Sequence, residues 1–305
     1  MQNENEYLLI NSISEQHQLL RLSQPEHPLI SIIKFHEIES TISTQTLHFS
    51  NRFYTITLKE KCTSNEKYGR NAFDFNEGVM IFCAPNKKQI WNVDDQMPAK
   101  GWMISLHPDF LVNHPLHKKI KEFGFFQYAL NEALHLSRKE EKMIEVVLKN
   151  IKNEYHSVID SFSQDIIISQ IETLLNYANR FYNRQFITRK NVNNELLKKL
   201  NIILDEFFET KDFIEKGLPT VRYISGQLYL SSDYLSDLLR NLTGQNTQQY
   251  IHNKIIEKAK EILLTTNLSV SEIAYQLGFE HPQSFNKLFK SKTNTSPLQF
   301  KSTFN

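Results

Sequence analysis

At 305 residues, 40% hydrophobic and 23% charged, the chain has the length for two ordinary domains and the apolar content for real cores. Its formal net charge of +1 rules out a partner dictated by bulk charge, and the two cysteines, Cys62 and Cys83, rule out a disulfide framework. The polar, acidic start Met1–Glu6 lacks the basic and apolar regions of a secretory leader, and no apolar run approaches the ~20 residues of a membrane helix, so a soluble, cytoplasmic protein with no membrane partner is expected.

The first half reads as β. Ile30 to Ile38, Phe53 to Leu58, Val79 to Ala84 and Gly101 to Leu106 are short runs rich in β-branched, aromatic and other apolar residues. Turn-rich pieces such as Thr63-Ser64-Asn65 and Asp94 to Pro98 separate some of them. Strands at such spacing predict a small barrel or sandwich. Its aromatic and histidine residues His36, Tyr54, Phe82 and Trp91 are candidates for lining an effector cavity, weighed against plain core packing.

From Pro108 the pattern turns helical, with short turns at Pro108–Asn113 and Pro115–Phe123. Ser137-x-x-Glu140 is a capping box opening a helix to about His156. Ser161-x-x-Gln164 is read as opening the next, to about Phe181, with Ile167, Ile171, Leu174, Leu175 and Ala178 as its apolar stripe. That stripe suits either a dimer seam or packing within the chain. Arg184 to Asn194 is polar and basic and is read as a linker, followed by a helix from about Glu195 to Glu209 that Gly217 and Pro219 terminate.

The last third repeats itself. Asp237 to Gly244 aligns with Lys287 to Asn294, and Gln249-Tyr250 with Gln299-Phe300; upstream of a one-residue slip, Leu228 and Leu230 align with Leu277 and Phe279. The repeating unit is helix, tight turn, helix. In the second copy Ser269-x-x-Glu272 opens a helix carrying Ile273, Ala274 and Leu277, Gly278 stops it, and His281-Pro282 starts another. With Phe285, Leu288 and Phe289 inward, His281, Gln283, Ser284, Asn286 and Lys287 are left to face DNA bases, with Lys290 nearer phosphate. Glutamine and asparagine pair with adenine edges, lysine with guanine, serine with either. The bland alternative is a solvated polar helix face.

The first copy has Val221, Ile224 and Leu228 on the supporting helix and Leu235, Leu238 and Leu239 inward on the second. Its outward candidates are Ser232, Asp233, Ser236 and Asp237 toward bases and Arg240 toward phosphate. Two aspartates sit awkwardly beside a polyanion; Asp233 suits the helix dipole and Asp237 suits cytosine N4. The helix start at Thr295-Ser296 is a further phosphate candidate. Between the copies Thr247 to Thr265 makes a spacer helix of nearly 30 Å at ~1.5 Å per residue, close to the ~34 Å between successive major-groove faces. From residue 220 onward nine Lys/Arg stand against six Asp/Glu, compatible with a polyanion without demanding one.

These residues carry a resemblance. Ser269-Val-Ser-Glu-Ile-Ala-Tyr-Gln-Leu-Gly-Phe279, Ser284-Phe-Asn-Lys-Leu-Phe-Lys290 and Thr295-Ser-Pro297 resemble the DNA-binding domain of the AraC/XylS family of bacterial transcription regulators. Asn294 stands where that family usually has glycine, and the outward positions of the first recognition helix are small or acidic. The stretches Gly101 to Leu111 and Asn131 to Ser137 resemble, more loosely, members with a cupin-like sensor. The resemblance implies an α+β chain: a cupin-like β-barrel with paired dimerisation helices over residues 1–185, a linker and connecting helix over 186–219, and an all-α double helix-turn-helix domain over 220–305. It also implies promoter DNA as partner, a small-molecule effector, a homodimer, activation as the typical outcome, and possible contact with RNA polymerase. A cupin-like enzyme with an appended DNA-binding domain is the competing class. His107, His114 and His117 do not have zinc spacing and the candidate barrel has no His-x-His pair, so no metal, cofactor or catalytic residue is assigned.

Overall fold

A computed structural model describes residues 7–38, 47–60, 78–91, 100–157, 160, 162–209 and 217–303, and the chain divides into two compact units, residues 1–185 and 186–305. Cys62, Ser161 and the two turn segments at 63–65 and 94–98 lie outside the described residues.

In the first unit, strands β1 (Leu8–Ile10), β3 (Leu47–Asn51) and β6 (Gln89–Trp91) form a three-stranded sheet in the order β1-β3-β6. Strands β2 (Ile30–Lys34), β7 (Gly101–Leu106), β4 (Tyr54–Glu60), β5 (Gly78–Cys83) and β8 (Leu134–Leu136) form a five-stranded sheet in the order β2-β7-β4-β5-β8. Both orders are open, so the described strands make two sheets and not the closed barrel expected from the sequence. The short strands β1, β3, β6 and β8 escaped the sequence reading because three to five residues carry too little alternation to register. The run expected to stay extended to Ile38 ends at Lys34, where Phe35–Glu37 turns as a 3-10 helix and the Glu37 carboxylate accepts the Lys34 N–H at 3.0 Å.

Register puts Ile32, Ile104, Ile56 and Phe82 in one cross-strand row on one face of the larger sheet, all buried. Helices α3 (Arg138–Tyr155) and α4 (Ser163–Thr188) contribute Ile144, Val147, Leu148 and Ile151, and Ile167, Ile171, Leu174, Leu175 and Ala178, to the buried set. The α4 stripe is thus engaged in packing within its own chain. The Ser137/Glu140 capping box opens α3 as expected, whereas α4 is capped by Asp160, whose Oδ1 accepts the N–H groups of Phe162 at 2.8 Å and Ser163 at 3.0 Å. The earlier elements α1 (Ile13–Leu19) and α2 (Leu116–Lys119) are short.

The segment read as a linker is helical: α4 runs to Thr188 and α5 (Lys190–Glu209) follows almost at once. Buried Leu200, Leu204, Phe207 and Phe208 of α5 join the same apolar cluster as the C-terminal helices, and Tyr250 donates to Asn201 Oδ1 at 2.8 Å. The polar composition of 184–194 is compatible with this, since a helix with one buried side needs few apolar residues per turn.

Candidate nucleic-acid interface

Among the described residues the second unit continues with α6 (Val221–Gln227), α7 (Ser232–Thr243), α8 (Thr247–Thr265), α9 (Val270–Gln276), α10 (Pro282–Thr293) and α11 (Pro297–Ser302). The repeat extends to individual hydrogen bonds. The α7 and α10 helices end on Gly244 (φ 74°) and Asn294 (φ 61°), whose N–H groups donate to Arg240 and Lys290 carbonyls at 3.0 and 2.9 Å. Asparagine therefore performs the left-handed stop that glycine performs fifty residues earlier. Thr243 and Thr293 each donate to the carbonyl four residues back, at 2.8 Å. Asn246 with Gln249, and Ser296 with Gln299, form matching capping boxes.

Upstream the slip is structural. Tyr229 (φ 57°) and Gly278 (φ 85°), 49 residues apart, both make the left-handed turn between the two helices of their unit. Glu280 is the extra residue in the second unit's turn. Leu235 and Leu239 in α7 and Phe285 and Phe289 in α10 are completely buried, so each second helix is held by the same two inward positions. The spacer α8 packs Ile251, Ile255, Ala259 and Ile262 into the shared core. Lys301 donates to the carbonyls of Thr266 at 3.0 Å and Leu268 at 3.4 Å, placing a cation at the C-terminal end of that spacer.

The outward faces differ. His281, at the N-cap of α10, and Gln283, Ser284, Asn286, Lys287 and Lys290 within it are all exposed. Among the described residues the side chains of Gln283, Ser284, Asn286, Lys287 and Lys290 make no hydrogen bond or ion pair. In α7 the corresponding groups are engaged at home. Ser232 Oγ lies 3.1 Å from Ser225 Oγ, Ser236 Oγ accepts the Thr247 N–H at 3.4 Å, and Asp237 pairs with Arg240 at 2.6 Å. Asp233 is exposed in the first turn, where the helix dipole favours an acid. Thr295 Oγ1 lies 3.3 Å from Thr293 Oγ1, and Ser296 is occupied by its capping box. The Asp237–Arg240 pairing was legible as an i,i+3 spacing that the sequence reading passed over.

The other sequence candidates divide between core and surface. Tyr54 and Phe82 both pack on Phe126, at ring-centroid distances of 5.0 and 5.5 Å, while His36 is exposed. The Trp91 side chain lies outside the described residues. His107 Nδ1 accepts the Asp109 N–H at 3.2 Å and His114 Nδ1 the Leu116 N–H at 3.1 Å, so both close local turns. Among the described residues no three His, Cys, Asp or Glu side chains cluster as metal ligands, and no helix is long and apolar enough to cross a membrane.

Residues 224–303 match the family model described as "Helix-turn-helix domain". The C-terminal region is a helix-turn-helix domain. The chain is 29% identical over 147 residues to the uncharacterized HTH-type transcriptional regulator YfiF of Bacillus subtilis, a match covering 48% of this chain and 43% of that protein. It is 21% identical over 249 residues to the HTH-type transcriptional activator RhaS of Escherichia coli, covering 80% of this chain and 84% of RhaS. A solved C-terminal domain of the response regulator yesN from Fusobacterium nucleatum is 35% identical, covering 33% of this chain and 96% of that one, with a TM-score of 0.29. The chain thus spans less than half of YfiF's length. The helix-turn-helix match covers both repeat copies, from Ile224 in α6 to Thr303 beyond α11.

Proposed function

We propose that this chain is a sequence-specific DNA-binding transcription regulator in which the second helix-turn-helix carries most of the base readout. The observation that carries this is the α10 face: a cluster of neutral hydrogen-bonding groups and lysines with no acid among them and no partners to compete with a nucleic acid. His281, Gln283, Ser284, Asn286 and Lys287 face bases, and Lys290 faces phosphate. In the first unit Arg240 is held beside Asp237, which lowers the net charge that α7 offers a phosphate. That unit then serves mainly to orient the reader, with Asp233 and Ser232 at its rim. Thr295 and Ser296 lie at a second backbone-facing edge.

In this reading residues 1–185 sense a small effector, or dimerise, or both, and the outcome at a promoter is activation; RhaS, matched over 84% of its length at 21% identity, is described as an activator. The α4 stripe is buried in its own unit, so a homodimer would use other surfaces. The deciding experiment is selection of bound sequences from a random DNA pool, followed by titration of the selected site with Lys287→Ala and Asn286→Ala chains. Each substitution is expected to cost ~1–3 kcal/mol and to relax preference at one or two base pairs. Unchanged affinity and unchanged preference in both would refute the assignment.

A further inference from the structure

The face of the five-stranded sheet opposite its apolar core carries a different row. Register aligns Ser31 with Ser105, Ser105 with Thr55, and Thr55 with Cys83 across β2, β7, β4 and β5. All four are buried, at 2%, 2%, 6% and 3% exposure.

Two ends of the row are closed by polar side chains from other elements. In α1, His17 Nε2 lies 2.7 Å from Ser31 Oγ, and Gln16 Oε1 accepts from Ser105 Oγ at 2.5 Å. At the other end Cys83 Sγ donates to Gln89 Oε1 at 3.4 Å, linking the five-stranded sheet to the three-stranded one. Burial pushes the Cys83 thiol up from its ordinary range, so it stays neutral there.

At that end the network stops short. Gln89 Nε2 and Asn51 Oδ1 are buried without a hydrogen-bond partner, and Asn51 is only 3% exposed. Phe49 pairs with Gln89 in the β3–β6 register, so Asn51, two residues on, is the diagonal neighbour of Gln89 on the same face. Such neighbours stand ~7–8 Å apart, a gap that one hydrogen-bonding group bridges. A buried donor and a buried acceptor left unmade side by side are costly, and native proteins rarely keep them without something to satisfy them.

We infer that the line where the two sheets meet binds an uncharged molecule through a hydroxyl or primary-amide group that accepts from Gln89 Nε2 and donates to Asn51 Oδ1. The inference rests on the effector-sensing reading of residues 1–185 and gives it a chemical class. The row contains no carboxylate, ammonium or guanidinium. Lys87, whose charge is felt at Cys83, donates to the main-chain carbonyls of Phe126 and Tyr128 instead. A charged ligand group at this place would be desolvated without a counter-charge.

The test uses the full chain in thermal melts and calorimetric titrations. The probes are four- to six-carbon polyols and small primary amides, with carboxylates and amines of matched size as the charged set. At saturation at least one uncharged probe is expected to raise the melting midpoint by about 5 °C or more, with no shift from its charged counterparts. Asn51→Leu, which removes an orphaned acceptor, is expected to leave the ligand-free midpoint unchanged or higher, and Gln89→Met, which also removes the acceptor of Cys83 Sγ, to lower it slightly at most; both are expected to weaken the probe by about tenfold or more. If one variant does not fold, the other supplies the same comparison. Binding that survives both substitutions, or binding by charged probes alone, overturns the assignment and leaves effector sensing standing. If no probe of either charge class shifts the midpoint of the unmodified chain, buried water satisfies the pair and the assignment falls, while an effector site elsewhere in residues 1–185 is untouched.

Discussion

The two helix-turn-helix units share caps, turn conformations and inward positions, yet α7 ties its polar groups into its own scaffold and α10 leaves them exposed. Likeness in backbone and likeness in surface are therefore separate properties of a repeat. The backbone needs a hydroxyl cap on each first helix, a left-handed stop on each second one and two inward apolar residues, and both copies supply them; only the start of the second helix differs, Ser231 capping α7 while His281 makes no cap bond and Pro282 starts α10. The surface needs only what the partner requires, and nothing obliges two copies to offer the same chemistry.

The largest expected effect tests the shared part. Phe285→Ala and Phe289→Ala each remove a completely buried ring and are expected to cost ~3–5 kcal/mol in chemical denaturation, with Leu235→Ala and Leu239→Ala costing ~2–5 kcal/mol. Losses confined to one pair would mean that the two copies do not share one core. Next comes the difference in surface. Lys287→Ala is expected to cost ~1–3 kcal/mol of DNA affinity and to reduce the slope of binding against salt. Asp237→Asn, which frees Arg240, is expected to leave affinity unchanged or slightly higher, and a tenfold loss would give the first copy a base-reading role after all.

Smaller still is the contrast between the turns. Tyr229→Gly is expected to stabilise by up to ~1 kcal/mol, because the left-handed conformation costs a tyrosine ~1–2 kcal/mol and glycine returns part of that as chain entropy. Gly278→Ala, at φ 85°, is expected to destabilise by ~1 kcal/mol or more. Melting curves of the two variants shifting in the same direction would contradict the shared turn geometry.

The last contrast is in pH dependence. Hydrogen bonds from the Ser269 hydroxyl and backbone N–H hold the Glu272 carboxyl below its ordinary range, whereas the matching position after the Thr220 cap is Tyr223. A depressed carboxyl stabilises fully above its unfolded pKa and loses that contribution as pH falls through the folded one. Acid titration followed by hydrogen exchange should thus loosen the start of α9 as the pH falls below the ordinary glutamate range, while leaving the start of α6 unchanged. Glu272→Gln should remove the difference.

Caps and inward spacings were legible because they are local. Ser269 with Glu272, Ser137 with Glu140, and Leu235 with Leu239 act within one or two helical turns, and a linear pattern records them directly. The helicity of the 184–194 segment was not legible, for the complementary reason. Its helicity is supported by residues further along, Leu200 to Phe208, packing on a core built from separate helices from Val221 onward. His36, Tyr54 and Phe82 look alike as aromatic-rich strand residues, and only packing separates the exposed His36 from the two rings against Phe126.

The sequence alone determined that the last third is a doubled helix-turn-helix, where each copy begins and ends, and which residues of each second helix turn inward. Periodicity and capping are short-range, so the order of residues is enough to specify them. Tertiary structure decided that Ser232 and Ser236 brace the first copy and that α5 belongs to the second unit's core. It also decided that Ser31, Ser105, Thr55 and Cys83 form one buried row ending at Asn51 and Gln89. Each of these depends on strand register or on contacts between separate elements, and a one-residue slip would send the same side chains to the opposite face.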